Sequence, residues 1–178
     1  MQKRLILDQD RLSITLGRLC RQLTETHGDF SRSVVLGLQP RGVPLAERLV
    51  QRLHEMSGLR VRSGKLDPTF YRDDFRRRDQ PLLPNATQIP FLIENQRVVL
   101  VDDVLHTGRT VRAALDAMLA FGRPAQVELL ALIDRKHGRH LPIEARYVGL
   151  HVQTLQHQRV YVEWHNAEHP LDQVWLTD

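Results

Sequence analysis

Two adjacent acids and the turn after them are the part of the sequence best suited to chemistry. Asp102 and Asp103 follow the apolar run 98–101 and precede a turn rich in threonine and glycine. A run that is apolar on both faces predicts a central parallel strand, and ligands bind beyond the carboxyl ends of such strands. Glycine and the first N–H groups of a helix suit a turn that binds an anion. We therefore predict a phosphate monoester site formed by Val104, Leu105, His106, Thr107, Gly108, Arg109 and Thr110.

The two acids add a second specificity to this site. Carboxylates close to a bound phosphate can accept hydrogen bonds from vicinal hydroxyls, and a ribose 5-phosphate presents both groups. The alternative is an acidic strand end beside an ordinary helix. A second turn, Gln39 to Gly42, also lies between a predicted strand and a predicted helix, and its Arg41 and exposed N–H groups predict another anion site. The alternative for Arg41 is a charge at the start of a helix.

The apolar patterns predict the elements that must position these turns. Leucines at helical spacing indicate an amphipathic helix over 10–26, which ends near Gly28. A buried strand is predicted over 33–38 and another over 127–134, and a helix after Thr110 ends at Gly122. Because the strand-turn-helix pattern occurs twice, we expect an α/β fold with a mostly parallel twisted sheet flanked by helices.

Two further stretches complete the predicted architecture. Residues 160–164 and 174–176 predict short strands near the end of the chain. The segment 61–84 begins like a strand and continues as a charged excursion that includes Arg76, Arg77 and Arg78. A long charged excursion within a compact domain indicates a flexible lid over a site, and the alternative for the three arginines is a solvated loop.

Composition limits the class of protein. The 178 residues are most simply one domain, 1–178, and the formal charge of +4 suits a polyanionic ligand without distinguishing a phosphorylated sugar from RNA. The single Cys20 excludes an internal disulfide and is consistent with a reducing compartment. With no apolar run long enough to span a bilayer and no signal-peptide pattern, we expect a cytoplasmic protein without a membrane partner.

Several segments together resemble a known family. The run from Arg97 reads RVVLVDDVLHTGRT, and four more segments read GLQPRGVPLAERL, LDPTFYRDDF, FGRP and IDRKHGRHLPI. They resemble, in the same order, the PyrR family of type I phosphoribosyltransferases, whose members make UMP from uracil and 5-phosphoribosyl-1-diphosphate (PRPP) and regulate pyrimidine operons by binding leader RNA. The resemblance spans most of the chain. It implies the type I phosphoribosyltransferase fold with a flexible lid or hood segment.

The resemblance also implies roles for individual residues. It makes Asp102, Asp103 and Arg41 catalytic and places uracil near Val160 and the region of Arg135. It implies Mg²⁺ bound mainly through PRPP rather than through a protein metal site, and an unusual cis peptide bond between Pro40 and Arg41. Family members assemble as dimers or higher homo-oligomers. Pyrophosphate contacts fall on Pro40, Arg41, Gly42, Arg72 and Arg135.

Regulation by RNA is the implied role on which this sequence departs most from the family. Gly17, Arg21, Glu144 and Leu150 stand where well-known members carry Thr, His, Arg and Lys. The cations left to contact RNA phosphates are Arg18, Arg21 and Arg146. A different alternative is a phosphoribosyltransferase for a purine base or orotate without an RNA-binding role.

Two histidine patterns suggest zinc but have a simpler interpretation. His165, Glu168 and His169 spell H-x-x-E-H, which binds zinc only when the ligands share one helix. Pro170 follows immediately, which disfavours that helix. His137 and His140 lie beside Gly138 and Pro142, which favour a loop, so we expect no metal site at either place.

Overall fold

A computed structural model describes residues 3–73, 84–166 and 168–178 of the chain. These residues contain three α-helices and eight β-strands, and the strands form two sheets. The helices are α1 (Gln9–His27), α2 (Gly42–Ser57) and α3 (Arg109–Met118). The strands are β1 (Lys3–Leu7), β2 (Ser33–Leu38), β3 (Arg62–Leu66), β4 (Arg97–Leu105), β5 (Gln126–Arg135), β6 (Tyr147–Val152), β7 (Arg159–Glu163) and β8 (Gln173–Thr177).

The larger sheet is parallel and has the strand order β3-β2-β4-β5-β6. Helices α1 and α2 cover one face of this sheet, and α3 covers the other. Because both faces are covered, the central strands are apolar throughout, and every residue of β2 is buried. The α/β fold class predicted from the sequence is therefore confirmed.

The smaller sheet is antiparallel and has the order β1-β8-β7. It joins the two ends of the chain and packs against the α1 and α2 side of the core through Val160, Val174 and Leu176. Strands β7 and β8 agree with the two predicted terminal strands, whereas β1 and β6 are additional. The first strand is short and its partner lies at the other end of the chain, so no local pattern indicates the pairing.

The helices begin and end close to the predicted positions. Helix α1 extends one residue further at each end than predicted, with Asp8 accepting a hydrogen bond from the Arg11 N–H at its start. Helix α3 ends at Met118, and a 3₁₀ turn, Leu119–Phe121, continues to Gly122. The predicted lid is represented by β3 and a 3₁₀ turn, Thr69–Tyr71, while the arginines at 76, 77 and 78 lie outside the described residues. No described helix is long and apolar enough to cross a membrane.

Candidate active site

The carboxyl edge of the parallel sheet brings most of the predicted substrate-binding residues together, whereas Leu105, which was predicted for the phosphate site, packs in the core on the α3 side. A cavity of about 800 Å³ opens there, between the ends of β2, β4 and β5 and the start of β7. This is the edge at which ligands bind in open α/β sheets. The predicted residues that line the cavity are Pro40, Arg41, Arg72, Asp102, Asp103, Val104, His106, Thr110, Arg135 and Val160.

The two acids lie within β4 rather than at its end. The strand continues to Leu105 because β5 is long enough to pair with it as far as Asp134. Both acids are nevertheless buried, and each carboxylate accepts a hydrogen bond from the next backbone N–H, at 3.0 Å from Asp103 and 2.7 Å from Val104. The sequence-based view of an acidic strand end is therefore corrected to an acid pair inside the ladder.

Burial and mutual proximity perturb the ionisation of this pair. Burial and the neighbouring Asp103 carboxylate hold the pKa of Asp102 well above its usual range. Burial also raises the pKa of Asp103, while the Arg41 guanidinium lowers the pKa of both acids. Two carboxylates this close do not both ionise readily without a nearby cation. Arg41 therefore sets how easily the pair becomes fully charged.

The turn after β4 has the shape expected of a phosphate site. Gly108 has φ of +88° immediately before α3, a conformation that favours glycine. A Cβ there would also lie 3.2 Å from the Ile143 Cβ. The carbonyl of Thr107 accepts hydrogen bonds from the N–H groups of His140 and Leu141, so the turn is fixed to the 138–143 loop. At the start of α3, the Arg109 N–H donates to the Thr107 hydroxyl at 3.4 Å, and Thr110 lines the cavity.

The turn after β2 packs directly against β4. A Cβ on Gly42 would lie only 2.1 Å from the Val101 carbonyl oxygen, so only glycine permits this approach. The cis peptide bond of this turn joins Gln39 to Pro40, which corrects the bond between Pro40 and Arg41 implied by the family resemblance. The amide before a proline accepts the cis form far more easily than other amides do.

The two further arginines predicted to bind pyrophosphate differ in their surroundings. Arg72 donates a hydrogen bond to the Thr110 hydroxyl at 3.0 Å, so it reaches the phosphate turn. Arg135 is buried and donates to the Thr154 hydroxyl at 2.9 Å, and burial lowers the pKa of its guanidinium. The two cations thus lie on different walls of the cavity.

His106 lies between two cavities, which its place in the predicted phosphate turn did not indicate. It lines the main cavity and also an adjoining cavity of about 500 Å³ that His137 and His140 line as well. Burial and then the charges of Arg135, His140 and Arg139 lower the pKa of His106. Among the described residues, no group of three or more His, Cys, Asp or Glu side chains is arranged to hold a metal ion.

The other histidine pattern also forms a loop. Asn166 Oδ1 accepts hydrogen bonds from the N–H groups of Glu168 and His169, and the His165 ring bonds to the Pro170 carbonyl at 2.9 Å. Residues 165, 168 and 169 therefore do not share a helix face.

None of the cations considered for RNA lines this cavity, and two of them, Arg18 and Arg146, lie beside β6. Arg18 donates to the carbonyls of Val148 and Gly149, and Arg146 forms an ion pair with the buried Glu128. Arg21 is exposed on α1, and no hydrogen bond or ion pair of its side chain occurs within the part of the chain that the structure describes. Two of the three guanidinium groups thus have structural partners.

Comparisons with known proteins agree with this geometry. Residues 4–165 match the phosphoribosyl transferase domain. A bifunctional protein PyrR of Deinococcus radiodurans is 44% identical over 90% of this chain and 87% of its own length. The PyrR proteins of Roseiflexus and Bacillus subtilis are 43% and 41% identical, over 99% and 91% of this chain and 96% and 90% of their own lengths.

Solved structures support the same fold. A Leishmania tarentolae hypoxanthine-guanine phosphoribosyltransferase in complex with GMP superposes with a TM-score of 0.72, covering 96% of this chain and 94% of its own, at 15% identity. A Staphylococcus aureus hypoxanthine phosphoribosyltransferase gives 0.71, covering 96% and 90%, at 19% identity. Fold and site define a phosphoribosyltransferase. At the level of sequence, the chain belongs to the PyrR family, as its motifs indicated.

Proposed function

We propose that the protein transfers the phosphoribosyl group of PRPP to uracil, which gives UMP and pyrophosphate. The observation that supports this proposal best is one cavity that unites an acid pair, a phosphate turn and a second anion-binding turn. A phosphorylated ribose with a diphosphate at C1 needs these three features. Membership of the PyrR family supports uracil as the base.

The reaction breaks the bond between C1 and the pyrophosphate oxygen and forms a bond between C1 and N1 of uracil. The N1 proton is transferred to water, and the electron pair of the broken bond leaves with pyrophosphate. Positive charge develops on the ribose ring during such a glycosyl transfer. Asp102 and Asp103 hold the ribose hydroxyls and, as carboxylates in a buried site, stabilise this charge.

The two anion-binding turns divide the remaining work. Thr107, Gly108 and Thr110 bind the 5-phosphate through N–H and hydroxyl groups, and Arg72 adds a cation beside Thr110. Arg41 and the start of α2 bind the leaving pyrophosphate, with Pro40 and Gly42 shaping the turn. Arg135 and Val160 line the part of the cavity assigned to uracil, so Arg135 has a position suited to the base as well as to pyrophosphate.

Mg²⁺ fits this site as a component of the substrate. Phosphoribosyltransferases combine PRPP with Mg²⁺, and this ion keeps several waters and needs few protein ligands. Among the described residues, Asp102 and Asp103 are the carboxylates that line the cavity, but they are buried in β4 and do not form a metal cage with other described residues. The ion bound to PRPP would neutralise charge on the leaving pyrophosphate.

One assay separates this proposal from the alternatives. The protein is incubated with PRPP, Mg²⁺ and each of uracil, hypoxanthine, guanine and orotate, and the nucleotide products are quantified. We expect UMP from uracil and little product from the other bases. A variant with Asp102→Asn and Asp103→Asn preserves the shape of the pair and should lose about a hundredfold or more in rate. Nucleotide from a purine or orotate alone would overturn the assignment.

A second role is supported by the family, whose members are named bifunctional. This role is UMP-dependent binding of a pyrimidine-operon leader RNA through the exposed cations Arg18 and Arg21 on α1 and Arg146 before β6. Both roles belong to a cytoplasmic protein, and assembly into homo-oligomers is part of the same proposal. A single domain over residues 1–178 is also part of this proposal.

A further inference from the structure

The chain between β3 and β4 is tied at both ends by one buried carboxylate. Asp67, which follows β3, is 7% exposed. Its Oδ1 atom accepts hydrogen bonds from the N–H of Thr69 at 3.0 Å and from the Thr69 hydroxyl at 2.5 Å. Its Oδ2 atom accepts a hydrogen bond from the N–H of Asn85 at 2.5 Å. The side chain therefore connects the residues that leave β3, which we call the outgoing end (67–73), with the residues that come back to the sheet, which we call the returning end (84–88).

Other contacts fix the returning end to the sheet. Lys65 and Gln88 exchange two backbone hydrogen bonds of 2.8 Å, and the Asp67 N–H donates to the Thr87 hydroxyl at 3.0 Å. Gln39 donates its side-chain amide to the Ala86 carbonyl at 2.6 Å. The returning end is thus attached both to β3 and to the turn assigned to pyrophosphate.

The outgoing end leads directly to Arg72. Thr69 begins the 3₁₀ turn, and the Arg72 N–H donates to the Thr69 carbonyl at 3.3 Å. Arg112 of α3 donates to the Tyr71 carbonyl at 2.6 Å, and the Arg72 side chain donates to the Thr110 hydroxyl at 3.0 Å. Arg72 follows immediately after the turn whose first residue, Thr69, is bonded to Asp67, so a shift of Thr69 would move the Arg72 guanidinium.

We propose that Asp67 is a positioning residue for PRPP binding, because its carboxylate fixes both ends of the excursion and so delivers Arg72 to the phosphate turn at Thr110. Asp67 does not line the main cavity and acts through Arg72. The inference rests on the proposed function. Asparagine cannot replace the carboxylate, because its amide would face a donor, either at Thr69 or at Asn85.

A double-mutant cycle tests this coupling. The dissociation constant for PRPP with Mg²⁺ is measured by calorimetry for wild type, Asp67→Asn, Arg72→Ala and the double variant, with kcat and KM measured alongside. We expect Asp67→Asn to weaken PRPP binding about tenfold and to change kcat by less than about threefold. In the Arg72→Ala background, the same change should weaken binding by less than about twofold.

Matched variants separate positioning from general stability. Thr69→Ser keeps the hydroxyl that bonds to Asp67 and should bind PRPP as wild type does, whereas Thr69→Val should weaken binding in the same direction as Asp67→Asn. Glu94 is a suitable control carboxylate, because it also anchors a loop. It accepts a hydrogen bond from the backbone N–H of Arg123 at 2.7 Å, near the amino ends of β4 and β5 and away from the cavity. Glu94→Gln should leave PRPP affinity unchanged.

Defined outcomes would overturn the inference. An equal loss of PRPP affinity from Asp67→Asn in both backgrounds would show that Asp67 does not act through Arg72. Loss of kcat at unchanged affinity would also contradict it. If Asp67→Asn does not fold, the comparison of Thr69→Ser with Thr69→Val gives the answer, and equal affinities of these two would reject the proposal. Failure of the proposed function would be seen separately, as a wild type that binds PRPP without making UMP.

Discussion

At the scale of single residues, the protonation of the acid pair is the property most open to measurement. When Asp102 and Asp103 are ionised, all four of their oxygens can accept hydrogen bonds from the ribose hydroxyls, and the pair carries the negative charge that stabilises the ring. Burial raises the pKa of each acid, and Arg41 lowers the pKa of each. Since the two sites interact, a titration reports the behaviour of the pair rather than of either acid alone. PRPP binding should therefore weaken as pH falls through the raised range of the pair.

In an Arg41→Gln variant, this loss of PRPP binding on acidification should occur at higher pH. Without the guanidinium the pKa values of both acids rise, so the ionised pair is lost earlier on acidification, by about one pH unit. The measurement is PRPP affinity, or kcat/KM, from pH 4.5 to 8. Arg109→Gln is the control, because Arg109 pairs with Asp73 rather than with the acid pair. Titration of PRPP itself affects all three proteins equally. If PRPP binding by Arg41→Gln is lost over the same pH range as in wild type, Arg41 does not control the ionisation of the acid pair.

At the scale of elements, the close approach of α2 to β4 positions the second anion-binding turn. Gly42→Ala would place a Cβ 2.1 Å from the Val101 carbonyl oxygen, so α2 must shift. We expect the free energy of unfolding to fall by about 2 kcal/mol and PRPP affinity to fall with it. Urea denaturation and calorimetry measure both quantities.

Gly17→Ala provides the matched control for this change. The Cβ on Gly17 would lie 3.6 Å from the Arg52 guanidinium, at ordinary contact distance, within α1. Alanine inside a helix stabilises by about 0.5–1 kcal/mol relative to glycine. A Gly42→Ala protein as stable and as tightly bound to PRPP as Gly17→Ala would contradict the packing argument.

The elements also show what a sequence can and cannot predict. β2, α1 and the turn after β4 were predicted closely, because apolar periodicity and glycine placement act locally. The pairing of β1 with β8 was not, because it joins distant segments of five residues each. The acids in the motif were recognised, but the end of β4 was not, since its length depends on β5. Asp67 gave no signal because its partner, Asn85, is defined only by the folded chain.

At the scale of the whole molecule, a buried polar cluster lies beneath the amino end of the sheet. Glu128 accepts hydrogen bonds from Tyr147 at 2.7 Å and from Arg97 at 3.2 Å, and His27 Nε2 lies 3.0 Å from the same carboxylate. Burial favours the neutral acid, but these hydrogen bonds outweigh it, so the pKa of Glu128 is lowered. Burial is the main cause of the lowered pKa of His27. The cluster joins α1, β4, β5 and β6.

His27 should make the protein sensitive to mild acid. The unfolded chain takes up a proton near the ordinary pKa of 6.5, whereas the folded chain resists it, so stability falls as pH drops below 6.5. The slope can reach about 1.4 kcal/mol per pH unit. His27→Gln should flatten the dependence of the unfolding free energy on pH between 8 and 5, measured in urea. His157→Gln, at an exposed position, should keep the wild-type slope, and an equally steep His27→Gln would refute this explanation.

RNA binding is the property of the whole molecule on which the structure makes the most selective prediction. Each phosphate contact makes affinity fall with salt, and removal of one contacting cation lowers that slope by about one unit. Arg21→Ala should do this without loss of stability, because the side chain is exposed on α1. Arg146→Ala should also destabilise the fold, because it removes a partner of the buried Glu128.

Arg60, exposed before β3 at the opposite edge of the sheet, is the control. The measurement is binding to the protein's own pyrimidine-operon leader across a salt series, with and without UMP. Weak binding that ignores UMP and RNA sequence, with the same slope in Arg21→Ala and Arg60→Ala, would show that this chain retains the transferase without the regulatory role.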